Sequence, residues 1–185
     1  MTTTLSSTTT SATAKNSLRK LAAHILATHH VVVRRDLPAL AETAQKLAQT
    51  EAASIPELKP IAHLVPQLLE ELTAHLAKEE QVLFPYMDQL EAALEAGTAL
   101  PHACFATVSQ PIAMMHYEHD ASTIVLAHLE KLTNGYTAPA ASSQEVAAFY
   151  AALKGFTDDL KEHIRVENEE LFPGAVELEA QANRR

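Results

Sequence analysis

HLAKEEQVLFP (His75–Pro85) and HIRVENEELFP (His163–Pro173) are two versions of one phrase. Counted from its histidine, each carries Glu at the fourth following position (Glu79, Glu167) and Leu-Phe-Pro at the eighth to tenth. The two histidines stand 88 residues apart. On a helix, residues i and i+4 lie on one face, one turn apart. Each phrase therefore aims an imidazole nitrogen and a carboxylate at the same place. A neutral imidazole binds one metal ion terminally, whereas a carboxylate has two oxygens and can bridge two ions. Two such half-sites facing each other across a helical core predict a pair of metals with Glu79 and Glu167 as bridges.

The rest of the chain predicts the helices this requires. Of the 185 residues, 47% are hydrophobic, Gly is held to four and Trp is absent. Ala and Leu dominate, and both lose little on entering a helix. Leu18, Leu21, Ile25 and Val32, with Leu26, Val33, Leu37 and Leu40 beside them, recur at helical spacing. Pro38 is expected to kink or break this first helix, because it removes a donor and clashes one turn back. ASIPELKPIAH reads as a connection, and a long helical pattern follows from about Leu58 to Leu94, bent at Pro66 and Pro85. Gly97–Pro111 reads as a loop, and a third helix runs from about Ile112 to an Asn134-Gly135 stop. A fourth, capped by Ser142 or Ser143, spans about Gln144–Leu171 and meets Pro173-Gly174, with a short helix after it. The expected class is all-α, an up-down four-helix bundle with the repeated phrases on its second and fourth long helices.

Composition narrows the partners. Net charge is −9, and no cluster of Lys and Arg offers a footprint for nucleic acid or anionic lipid. Nothing approaches about 18 uninterrupted apolar residues, so no membrane-spanning helix is expected. MTTTLSSTTTSATAKN lacks the apolar stretch of a signal peptide, and its Ser/Thr richness predicts a disordered tail. One cysteine, Cys104, excludes a disulfide framework and reads as an inert loop thiol. These features predict a soluble cytoplasmic protein.

Ten histidines are the feature left to explain. The two phrases supply both carboxylates but only two imidazoles, so the other two long helices must supply the rest. The first offers His29 and His30 at its centre. His30 continues the Leu26, Val33, Leu37 face and His29 lies about 100° away on a 3.6-residue helix. The third offers His116 and His119 in MMHYEHD, with Glu118, Tyr117 and Tyr150 as candidates to orient the ligands. His24, His63, His102 and His128 read as surface or satisfied core residues. Mixed imidazole and carboxylate ligation suits iron, manganese or zinc. A solvent-derived oxo or hydroxo bridge would complete two five-coordinate ions, each with an open position, and such a bridged pair favours iron. The Glu-x-x-His signature of ferritin-type di-iron bundles is absent.

These residues resemble the haemerythrin-like superfamily, and within it the repair-of-iron-centres family of di-iron proteins. The phrases that carry the resemblance are His75–Pro85, Glu118-His119-Asp120, His163–Pro173, and HHVVVRRDLPAL, where His30 stands seven residues before Leu37-Pro38. It covers roughly residues 16–175. The resemblance implies His30, His75, His119 and His163 as terminal ligands, with Glu79 and Glu167 bridging two non-haem iron ions. The family tends to place a further histidine 21 residues after the first-helix ligand. Here that position is Glu51, a substitute ligand if the chain folds back near Pro38.

The organisation implied is a tail over 1–15 and a haemerythrin-like di-iron bundle over 16–180. Full-length relatives carry an N-terminal cysteine-pair domain, which the Ser/Thr tail here does not match. The resemblance further implies a role in nitrosative or oxidative stress. Iron-sulfur centre repair, or chemistry with NO, O2 or peroxide, would take place at the bridged pair, with iron-sulfur proteins as clients. The other activity it leaves open is reversible O2 or NO binding or sensing without catalysis.

Overall fold

The computed structural model describes residues 17–184; the tail expected over 1–15 lies outside them. The described residues form four helical rods and no strand. The first rod joins α1 (Leu18–Ile25), a π-helical turn π1 (Leu26–His30) and α2 (Val31–Thr50). The second joins α3 (Leu58–Lys78), π2 (Glu79–Leu83) and α4 (Phe84–Ala96). The third is α5 (Ser109–Leu132), and the fourth joins α6 (Gln144–Val166), π3 (Glu167–Leu171) and α7 (Phe172–Ala182). α2 packs on α3 and α6, and α5 packs on the same two helices. The second and fourth rods, which carry the repeated phrases, therefore stand diagonally across the bundle.

Local chemistry sets the ends of these rods. The Ser17 hydroxyl accepts from the Lys20 N–H, and the Ser143 hydroxyl from the Val146 N–H, as N-caps do. Asn134 and Gly135 both take positive φ (49° and 66°) just past α5, which is why Asn-Gly stops it. α5 begins a few residues before the expected Ile112, because Pro111 falls in its first turn, where a missing N–H costs nothing.

Two expected breaks do not occur. α2 runs unbroken through Pro38. An interior proline costs about 3 kcal/mol. Val33, Leu37, Leu40, Ala41, Ala44 and Leu47 are all buried along that helix, and a fully buried Leu or Val alone contributes about 1.5–3 kcal/mol. Packing outweighs the lost bond. The fourth rod also continues past Pro173-Gly174 into α7. There Leu18 of α1 packs directly on Gly174, where a Cβ would lie 2.7 Å from Leu18 Cδ2.

The apolar core is in two parts. One cluster fills the end bounded by α2, α3, α6 and the second half of α5, from Leu47, Leu58 and Leu68 to Leu153. The other gathers Ile25, Leu83, Met87, Leu90, Met115, Leu171 and Ala175 at the opposite end. Between them lies a buried layer of imidazoles and carboxylates. No helix among the described residues is long and apolar enough to cross a membrane.

Candidate metal centre

The polar layer is built where the helices change pitch. Each π turn abuts or contains a candidate ligand: π1 ends on His30, π2 begins at Glu79, and π3 begins at Glu167. The Phe84 N–H donates to the Glu79 carbonyl and the Phe172 N–H to the Glu167 carbonyl, the i to i+5 pattern of a π turn. Pro85 and Pro173 follow immediately. Proline lacks the N–H and crowds the carbonyl four residues back, and a widened turn relieves that crowding. The Leu-Phe-Pro ending of each phrase thus goes with a bulge at its carboxylate.

His30, His75, Glu79, His119, His163 and Glu167 are all buried, none more than 3% exposed. They fall into two groups, His30, Glu79, His163 and Glu167 in one and His75, Glu79, His119 and Glu167 in the other, and both glutamates belong to both. Within each group the ligand atoms lie within 4.8 Å of one another. The carboxylates divide their oxygens between the groups. Glu79 Oε2 lies 3.3 Å from His30 Nε2, and its Oε1 lies 3.4 Å from His75 Nε2. Glu167 Oε1 and Oε2 each lie 3.1 Å from an Nε2, of His163 and His119 respectively.

Hydrogen bonds on the far side of the rings fix which nitrogen faces inward. Nδ1 of His30 donates to Glu80 (2.7 Å), Nδ1 of His75 to Glu118 (2.8 Å), and Nδ1 of His119 to Asn168 (2.9 Å). Carboxylate and amide oxygens only accept, so the proton sits on Nδ1 and the Nε2 lone pair is free for a cation. Those outer partners are themselves held: Arg34 donates to both oxygens of Glu80, and Lys78 pairs with Glu118.

The chemistry of the layer fits metal binding at both groups. His30 Nε2, both oxygens of Glu79 and both of Glu167 are buried without a hydrogen-bond partner. An unpartnered buried carboxylate is costly, and such groups in native proteins are paired or bind metal. His75 Nε2 and His119 Nε2 face each other at 3.2 Å, an arrangement that needs a proton or a cation between two lone pairs. The electrostatics agree. Burial alone would lower the His75 pKa, but the facing carboxylates of Glu79 and Glu118 outweigh it and raise it to about 9. Burial would raise that of Glu167, yet the imidazoles of His163 and His119 hold it far below the usual carboxylate range.

Residues 21–175 match the family described as Hemerythrin HHE cation binding domain. The chain belongs to that family. Among its relatives, the iron-sulfur cluster repair protein DnrN of Neisseria gonorrhoeae is 35% identical over 80% of this chain and 85% of its own length. The iron-sulfur cluster repair protein YtfE of Cronobacter sakazakii is 33% identical over 86% of this chain and 66% of its own. YtfE of Escherichia coli O1:K1 is 32% identical over the same shares. The chain thus spans about two thirds of the length of these YtfE proteins.

Within this HHE-family site, the structure gathers His30, His75, Glu79, His119, His163 and Glu167 and leaves the remaining candidates outside. Glu51 lies just past the end of α2. Because the first rod does not fold back at Pro38, Glu51 is about 31 Å along a helix from His30, at 1.5 Å per residue. The substitute-ligand expectation fails on that geometry. His116 is exposed and sets its ring edge-on to Phe172, 5.5 Å between centroids. His29 is buried beside His30, because a π turn carries an extra residue on its inner face. Its Nδ1 donates to Asp159 (3.0 Å), and its ring stacks on His163 at 5.3 Å, so it touches a candidate ligand without joining either group. Tyr117 is exposed and Tyr150 is buried in the far core, so of the three candidates to orient ligands only Glu118 does so. His24, His63, His102 and His128 are exposed, as is Cys104.

Sequence reading missed Glu80 and Asn168. Both sit at the fifth position after the phrase histidine, next to the glutamate that belongs to both groups, and each serves the histidine of a neighbouring rod. The repeat also explains its phenylalanines. Phe84 stacks on His30 (5.7 Å) and Phe172 on His119 (5.8 Å), the same two imidazoles that Glu80 and Asn168 hold. A signal existed in the equal offsets, but the partner helix is invisible without the fold.

Proposed function

We propose that this chain is a non-haem di-iron protein of the iron-centre repair type, acting in the cytoplasm under nitrosative or oxidative stress. His30 and His163 would hold one iron and His75 and His119 the other, with Glu79 and Glu167 bridging and a solvent-derived oxo or hydroxo group between them. The observation that carries this reading is that Glu79 and Glu167 each present one oxygen to each histidine pair. The relatives named iron-sulfur cluster repair proteins support the assignment of role.

Bound as a pair, the irons supply one-electron redox change and binding of small ligands such as NO, O2 or peroxide. The protein's part is to hold and enclose. Glu80, Glu118 and Asn168 keep the Nδ1 protons outward, so the Nε2 lone pairs of His30, His75 and His119 stay directed at the centre. Phe84 and Phe172 exclude water from two of the imidazoles. Iron-sulfur proteins are the proposed clients, and iron itself is the proposed cargo when a bridge is lost.

Exposing the purified, iron-loaded protein first to O2 and then to NO tests this. Oxidation without a stable adduct, with iron passed to an apo iron-sulfur protein, is expected. A stable and reversible O2 adduct with no iron transfer would favour a carrier or sensor instead.

A further inference from the structure

Three of the four inward-facing histidines have an outer hydrogen-bond partner and the fourth has none. Nδ1 of His163 is buried without a partner. One turn earlier on the same face of α6, Asp159 Oδ2 is also buried without a partner, while its Oδ1 accepts from His29 at 3.0 Å. A donor and an acceptor are thus left unmade within one turn of each other. Buried polar groups in native proteins rarely stay so. His29 ties the two together: it anchors the carboxylate of Asp159 and lies parallel to the His163 ring, with 3° between the planes.

We propose that Asp159 is the positioning residue of His163, its Oδ2 accepting the Nδ1 proton as Glu80, Glu118 and Asn168 do for the other three. This rests on the reading of His163 as a metal ligand. The consequence is an unequal pair. The His30 and His163 half is backed by two carboxylates, Glu80 and Asp159. The His75 and His119 half is backed by one carboxylate, Glu118, and one neutral amide, Asn168. A carboxylate behind an imidazole makes it a stronger donor, so the His30 and His163 position favours the more highly charged ion.

The test is to load the full chain with 57Fe, compare it with Asp159→Asn and Asp159→Leu, and read iron retention against a chelator together with the Mössbauer spectrum. Asp159→Asn keeps an acceptor but loses the charge. It is expected to retain most iron while one of the two quadrupole doublets shifts and the other stays. Asp159→Leu is expected to lose iron about 10–100-fold more readily. Asp158→Asn, on an exposed residue paired with Lys154, serves as the control and should change neither readout. Unaltered retention and unmoved doublets in both Asp159 variants would overturn the proposal. Should Asp159→Leu fail to fold, an unmoved doublet in Asp159→Asn overturns it alone. A parent protein that takes up no iron would sink the di-iron reading and this inference together, whereas an iron-loaded parent with unaltered variants sinks only the role of Asp159.

Discussion

His30 on the first rod donates its Nδ1 proton to Glu80 on the second at 2.7 Å, although the two are 50 residues apart in sequence. Glu80 follows the shared carboxylate Glu79, and Phe84 of the same phrase stacks on the same imidazole. Asn168 and Phe172 repeat the arrangement on His119. Each phrase therefore offers its own histidine and glutamate and also orients a histidine it does not contain.

Glu80→Leu and Asn168→Leu should weaken iron retention by about 10–100-fold, since each frees an imidazole to turn its proton inward. Glu80→Gln, which keeps an acceptor oxygen, should restore most of it. Chelator competition on the three variants measures this, and equal loss in Leu and Gln would point to packing alone.

Loss of a shared carboxylate should be far more severe. Glu79→Leu or Glu167→Leu removes an oxygen from both groups at once, so both metals are expected to go, leaving well under half the parent content by elemental analysis. Glu51→Ala, at the far end of α2, should retain the parent content.

Stability of the metal-free protein should fall as pH rises. The His75 pKa is raised from 6.5 to about 9 by Glu79 and Glu118 against the opposing effect of burial. A raised pKa contributes stability fully present below pH 6.5 and lost as pH climbs through about 9. Urea unfolding between pH 6 and 10 should register a loss of roughly 2–3 kcal/mol. The iron-loaded protein, whose imidazole is already neutral, should lack that loss.

Away from the metals, Glu179 holds the end of the bundle together. It accepts from Tyr86 Oη (2.6 Å) and from the Val108 N–H (3.0 and 3.1 Å) just before α5. Glu179→Leu should leave those donors buried and unmatched, at about 1–3 kcal/mol, lowering Tm by about 2–4 °C per kcal/mol. Iron content of the folded protein should not change.

How far the sequence carries can be read residue by residue. The i, i+4 pairs His75–Glu79 and His163–Glu167 were legible because helical spacing alone puts them on one face. The four rods were legible from Leu and Ala periodicity. A break at Pro38 was misread, because a local rule about proline says nothing of the six apolar side chains that keep α2 one continuous helix. His29, about 100° from the His30 face on a regular helix, was a candidate ligand; the π turn at Leu26–His30 buries it, but its Nδ1 faces Asp159 and it joins neither ligand group. Glu80, Asn168 and Asp159 act on residues of other helices or on an orphaned nitrogen, so no spacing within one helix announces them.

The central claim is that Glu79 and Glu167 each touch both metals. Anomalous scattering at the iron edge from crystals of the iron-loaded protein tests it most directly. The account predicts two peaks per chain, each within bonding distance of both glutamates, one beside His30 and His163 and the other beside His75 and His119. A single peak, or two peaks of which either fails to touch both carboxylates, would contradict it.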